Sequence, residues 1–180
     1  SVSTFCKHPQ IDEVVIVCHS DWIEHVKSKY PECIVTVGGK RRQDSSLNGV
    51  MTTSHKTEIV LIHDAARPFV SETIITDCLA VLENCDGSAP ILESPDSLIE
   101  WDGKSTFRIN RSEIKIVQTP QCFRKELILK VLSAGIEGTD EIGMVLETFP
   151  DSRLEFIKGS SLNNKITTDL DLHYFNNLPD

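Results

Sequence analysis

Aromatic residues are scarce in this chain, at 6% of 180 positions. A groove that grips single-stranded nucleic acid needs stacking rings, and few are available. Positive charge is also in deficit. Lys and Arg number 18 against 27 Asp and Glu, for a net charge of −9. A general phosphate-backbone binder needs a basic face, so no nucleic-acid partner is expected. A small anionic substrate remains open, because a few cations gathered in one cleft make a positive site on an acidic protein. No apolar run approaches the roughly 20 residues of a membrane span, so no membrane association is expected. Residues 1–8 are neither basic-then-apolar nor Arg-rich. No targeting peptide is read there, and the expected location is cytoplasmic. The six cysteines, Cys6, Cys18, Cys33, Cys78, Cys85 and Cys122, form no C-x-x-C pair. The histidines show no metal-ligand spacing. Reduced thiols are expected, with neither disulfides nor a metal held by protein ligands.

What is present is an alternation. Residues 13–18, 33–37, 58–62 and 88–92 are short apolar runs, as in strands buried on both faces. Helical patterns fall between them, over 20–30, from Asp44 to Met51, and from an N-cap at Ser71 to Asn84. Strand–helix alternation of this length predicts an α/β, Rossmann-like fold, a mostly parallel sheet with helices on both faces. Residues 97–118 break the pattern. They alternate in polarity around a turn at Asp102-Gly103-Lys104 and read as a protruding β-arm. Helices at 124–134 and 140–147, a strand at 154–157 and a helix at 170–176 complete the pattern. Hydrophobic content of 39% and charged content of 25% suit one domain over 1–180.

Ligands of open α/β sheets bind beyond the carboxyl ends of the strands. Residues 38–49 place Gly38-Gly39 after a strand, then Lys40-Arg41-Arg42, then a helix start. Such a segment suits an anion, and equally a solvated turn. Residues 63–70 place Asp64 and Arg67 at the end of the third strand. That pair can meet a hydroxyl and a phosphate, or merely order its own loop. Asp96-Ser97, Arg111, Thr119 and Lys165 are dispersed, and they gain meaning only if the fold gathers them.

Taken in order, these strings resemble one family. They are Gly-Gly-x-x-Arg-Gln-Asp-Ser (38–45), His-Asp-Ala-Ala-Arg-Pro (63–68), Pro-x-Ser (95–97), Thr-Pro-Gln (119–121), Thr-Asp-Glu (139–141) and Asn-x-Lys-Ile-Thr-Thr (163–168). Together they resemble the 2-C-methyl-D-erythritol 4-phosphate cytidylyltransferases of non-mevalonate isoprenoid synthesis. The resemblance spans essentially the whole chain and implies a nucleotidyltransferase. It implies that Gly39, Ser45 and Ala65 contact CTP, and that Asp64, Arg67, Ser97 and Thr119 bind the sugar phosphate. Arg111 and Lys165 would be the catalytic cations that align the attacking phosphate. Mg²⁺ would arrive mainly on the CTP phosphates. Arg111 would act in the partner subunit's site, so a homodimer joined through the β-arm is implied.

The sequence departs from the family in places. Ser97 stands where Thr is frequent, Lys40 where an acidic residue is frequent, and Asn164 where an apolar residue is usual. The strand and Gly-rich loop with which the family begins, carrying an Arg and a Lys for the triphosphate, are absent from these 180 residues. Two other functions stay open: a ribitol- or pentitol-phosphate cytidylyltransferase, and a non-catalytic nucleotide-binding module.

Overall fold

The computed structural model describes residues 1–177. A short helix, α1 (Val2–Lys7), leads into β1 (Val15–Cys18). A 3₁₀ turn at Ser20–Trp22 opens α2 (Ile23–Lys29), and β2 (Ile34–Val37) returns parallel to β1. Then come α3 (Arg42–Thr52), β3 (Ile59–Ile62) and α4 (Glu72–Val81). The α4 start is fixed by Ser71, whose hydroxyl accepts the Ile74 amide at 3.3 Å. The second half holds β4 (Gly87–Glu93), β5 (Ile99–Trp101), β6 (Thr106–Arg108), β7 (Lys115–Val117) and β8 (Gln121–Arg124). It closes with α5 (Lys125–Ser133), α6 (Glu141–Thr148), β9 (Leu154–Lys158) and α7 (Asp169–Asn176).

The α/β class and the helices on both faces follow the sequence pattern. Parallel pairing is found for β1 with β2 and for β4 with β9. Two strands run the other way. β8 lies between β3 and β4, antiparallel to both, and β7 pairs antiparallel with β4. No strand is predicted at β8, because its four residues offer only two apolar positions between Pro120 and a helix.

Period-two alternation sorts the sheet's side chains into two cores. Val60 and Phe123 face α3, α5 and α6, joining Val50, Ile128, Val131, Ile142 and Val145. Ile59, Leu61 and Cys122 face the opposite way, onto Phe5 of α1 and Ile74, Ile75, Cys78 and Leu82 on the α4 side. β5 and β6 form the arm hairpin, closed by Asp102, whose carboxylate accepts the Lys104 and Ser105 amides at 2.8 and 2.7 Å. Gly103 sits at φ +91°, where a side chain would be strained. The arm leaves Ile99, Trp101 and Phe107 exposed. It ends before residue 115, since β7 belongs to the main sheet.

Among the described residues, β1 pairs only with β2, and β3 pairs only with β8. A cavity of about 640 Å³ lies between β1 and β3, lined by Val15, Val17, Ile59 and Leu61 and reaching Asp64.

Phe123 has no exposed surface and fills the junction between sheet and helices. Phe123→Ala is expected to cost about 3–5 kcal/mol by transfer loss plus cavity. Urea unfolding checks this through the midpoint, with the slope unchanged.

Candidate active site

The site forms where β3 ends. Asp64 follows the strand by two residues, and the next turn brings Arg67 back beside it. Three cations converge on the Asp64 carboxylate: Lys165 Nζ at 3.1 Å, and the Arg42 and Arg67 guanidinium nitrogens at 3.5 Å each. Burial alone would raise the Asp64 pKa. The hydrogen bond and charge of Lys165, with Arg42 and Arg67 behind it, outweigh burial and hold it below the ordinary aspartate range. The carboxylate is therefore ionised at neutral pH. Its stabilising contribution is present above the ordinary range and fades only as pH falls through the lowered value.

Arg42, the first helical residue of α3, bridges to a second carboxylate. Its two terminal nitrogens donate to Glu141 Oε1 and Oε2 at 2.7 and 2.8 Å, and Ser46 Oγ donates at 2.7 Å. Glu141 has no exposed surface. The bidentate fork and the hydroxyl supply what such burial requires. Counting Arg42, Arg67 and Lys165 against Asp64 and Glu141, three cations meet two anions, and one positive charge is left over. Lys165 is 41% exposed, the most accessible of the three cations.

A neutral network fixes the backbone beneath. His63 Nε2 lies 2.9 Å from the Arg67 carbonyl, which can only accept, so this nitrogen carries the proton. His63 Nδ1 then accepts from Thr119 Oγ1 at 3.0 Å, and Thr119 Oγ1 accepts the Asp64 amide at 3.1 Å. The donor of the Thr119 hydroxyl is already engaged, which makes Thr119 a positioning residue for Asp64 in this arrangement. Burial, partly offset by the Arg67 carbonyl, pushes His63 below its ordinary value and keeps it neutral. Arg67 Nη1 donates to the Asn163 carbonyl at 2.9 Å, and Asn163 Nδ2 donates to the Thr119 carbonyl at 2.8 Å. Gln118 Nε2 also donates to the Asn163 carbonyl, at 3.1 Å. The Ile166 amide donates to the Ala66 carbonyl at 2.9 Å, which ties the Lys165 segment to the Asp64 loop.

The Gly38-Gly39 turn lies alongside. The Gly39 amide donates to Ser45 Oγ at 3.0 Å. A Cβ on Gly39 would overlap Asp44, so only glycine permits this approach. A cleft of about 620 Å³ runs over Cys18, His19, Ser20, Gly39, Lys40 and Ser45. Ser45 borders it and also the cavity that reaches Asp64 and Ala65. The fold thus brings together Gly39, Ser45, Asp64, Ala65, Arg67, Thr119 and Lys165. Ser97 and Arg111 stand apart. Both are exposed near the arm, and Arg111 Nη1 donates to the Pro95 carbonyl at 2.9 Å rather than joining the Asp64 cluster.

Comparison with known proteins identifies the family. The family profile "IspD: 2-C-methyl-D-erythritol 4-phosphate cytidylyltransferase" matches residues 1–177. The chain belongs to the 2-C-methyl-D-erythritol 4-phosphate cytidylyltransferase family. It is therefore a nucleotidyltransferase. A family member from Clostridium botulinum is 40% identical over 185 residues, covering 96% of this chain and 80% of that protein. The crystal structure of 4-diphosphocytidyl-2C-methyl-D-erythritol synthase from Anaerococcus prevotii superposes with a TM-score of 0.91 at 26% identity. It covers 97% of this chain and 82% of that one. A Haemophilus influenzae protein named as a bifunctional ribulose 5-phosphate reductase/CDP-ribitol pyrophosphorylase is 32% identical over 187 residues. The match covers 96% of this chain and 40% of that protein.

Arg42, Glu141 and Asn163 receive no role from the sequence, although all three lie inside the family strings. One signal was available for Glu141. It opens a helix whose next positions, Ile142, Met144 and Val145, are all core. A carboxylate beginning such a run needs a buried cation.

The neutral His63 gives a pH dependence. The unfolded imidazole binds a proton near pH 6.5, while the folded one resists it. Between those values the unfolded state holds more protons, so stability falls as pH drops. Melting temperatures taken from about pH 8 to about pH 5 are expected to fall, and His63→Gln to flatten part of that slope. An identical slope in the variant would assign it to other groups.

Proposed function

We propose that this cytidylyltransferase transfers the cytidylyl group of CTP to 2-C-methyl-D-erythritol 4-phosphate. A phosphate oxygen of the sugar attacks the α-phosphorus in line. The bond from that phosphorus to the β-bridging oxygen breaks, and pyrophosphate leaves with the electron pair. A phosphate monoester is already a nucleophile, so the protein need supply only position and charge. The observation that carries this reading is the Asp64 cluster, where one part-exposed lysine stands above a carboxylate that two arginines already neutralise. Lys165 can turn from Asp64 to an incoming phosphate without leaving a bare charge behind. Asp64 then faces the polyol hydroxyls, with Arg67 holding the loop. Gly39, Ser45 and the Ala65 backbone receive the nucleotide.

Mg²⁺ belongs to the same reading. Asp64 and Glu141 are both occupied by cations of the protein. The donor set therefore suits an ion carried in on the triphosphate better than one held by carboxylates. Such an ion supplies charge neutralisation of the phosphates.

The functional unit in this proposal is a homodimer of single domains, working in the cytoplasm. The exposed Ile99, Trp101 and Phe107 on the arm support it, since apolar side chains grouped on a projecting hairpin favour burial against a second copy. Ser97 and Arg111, which lie apart from Asp64 within one chain, then complete the partner's site. A loop-bearing strand of the family type would meet two unpaired strand edges at the β1–β3 cavity, beside Ser45 and Asp64.

Pyrophosphate release from full-length protein, CTP and Mg²⁺ tests the reading. Release is expected with methylerythritol phosphate. Release only with ribitol phosphate would select the reaction in the Haemophilus protein's name, and nucleotide binding without release would select a silent module. Lys165→Ala and Arg111→Ala are each expected to cut turnover about 100-fold or more, with CTP affinity nearly unchanged. Mixing the two inactive variants is expected to restore part of the activity, because a mixed dimer holds one site with both cations. No restoration would place Arg111 outside the partner's site.

A further inference from the structure

Two half-buried cysteines and an exposed glutamate outside the active site lie together without a role. Cys6 sits on α1, and Cys33 ends the turn before β2, with Glu32 beside it. The two sulfurs are 3.5 Å apart, although 27 residues separate them in sequence. One carboxylate oxygen of Glu32 lies within 4.8 Å of both. A tetrahedral cation with metal–sulfur bonds of about 2.3 Å holds its two sulfurs about 3.8 Å apart. The observed separation needs only a few tenths of an ångström of adjustment. Carboxylate oxygen and water can fill the remaining positions. Paired thiolates select zinc-like ions over Mg²⁺ or Ca²⁺.

We propose that Cys6, Cys33 and Glu32 form a binding site for one thiophilic divalent cation of the zinc type. On binding, both thiols lose their protons to solvent, and the two thiolates and the carboxylate coordinate the ion. The site lies at the amino end of β2, opposite Gly38-Gly39, and is separate from the nucleotide cleft. Its position gives it a structural consequence. α1 is fixed to the far side of the β1–β3 cavity by the Ser1 ammonium on the Pro68 carbonyl at 2.8 Å and by His8 Nε2 with Thr76 Oγ1 at 3.0 Å. Cys33 immediately precedes β2, which pairs with β1 on the near side. A cation bridging Cys6 and Cys33 therefore clips the two sides together. Sequence spacing hides the site, because its ligands come from two segments and contain no C-x-x-C.

Cd²⁺ titration of the reduced protein tests the proposal through thiolate-to-metal charge-transfer absorption in the ultraviolet. One equivalent is expected. Cys6→Ser and Cys33→Ser should each abolish the band, Glu32→Gln should weaken affinity about tenfold or more, and Cys18→Ser should keep it. Zn²⁺ should displace Cd²⁺ and raise the melting temperature of the wild type by several degrees, and should not do so in the serine variants. Should a serine variant fail to fold by circular dichroism, the exposed Glu32→Gln variant still decides. No band in the reduced wild type, an unchanged band in both serine variants, or unchanged affinity in Glu32→Gln would overturn the site.

Discussion

Glu141 carries a carboxylate to a place with no exposed surface, and an ion there must be met by donors from all sides. Arg42 and Ser46 meet it, and both stand on α3. That requirement locks α6 against α3. It also aims the second edge of the Arg42 guanidinium at Asp64. Asp64 in turn gathers Arg67 from its own loop and Lys165 from a segment about a hundred residues further along the chain. A single buried anion thus sets the geometry of a cation cluster whose open member faces solvent. Buried ion pairs seldom add net stability over apolar packing. Their use here is positional, since the two arginines balance the two carboxylates and the cluster places a surplus lysine charge at the carboxyl end of β3.

The neutral network beneath has a complementary purpose. Asp64 amide, Thr119 hydroxyl, His63 imidazole and Arg67 carbonyl form one directional chain of hydrogen bonds. Each member donates to the next, so a protonated His63 would leave Nδ1 unable to accept from Thr119. Burial opposes that protonation. The loop from 63 to 67 is held by neutral groups, and its Asp64 carboxylate is held by the three cations, of which Lys165 is the most exposed. Fixed support under a part-exposed lysine suits a reaction that needs alignment more than acid–base chemistry.

Much of the fold is legible in the sequence. The apolar runs at β1 to β4 and the Ser71 cap of α4 are local signals, and they fall where expected. β8 is not legible, because two apolar residues after a proline carry no period, and its place between β3 and β4 is decided by tertiary pairing. α3 begins at Arg42, two residues before the sequence suggests. Asp44 accepts the Arg41 amide at 3.2 Å and so pulls the helix start back. At the site, Asp64, Arg67 and Lys165 are readable as residue types in a known order, and they converge. Arg42 and Glu141 are 99 residues apart; the core positions that follow Glu141 mark it as needing a partner, and nothing local names Arg42 as that partner. Ser97 and Arg111 are legible through resemblance alone, and one chain does not carry them to the Asp64 cluster. The Cys6–Cys33 approach is likewise a product of packing, invisible to spacing.

Arg42 and Asp64 link Glu141 to Lys165 in one continuous chain of ion pairs. A double-mutant cycle on kcat/KM with Glu141→Gln and Lys165→Met in the full-length enzyme measures whether the two ends of that chain are coupled. Strong non-additivity is predicted, with a coupling of about 0.5–3 kcal/mol, because once Lys165 is gone there is no ammonium left for Glu141 to position. Effects that simply add would mean that Glu141 does not position Lys165 and is a packing residue.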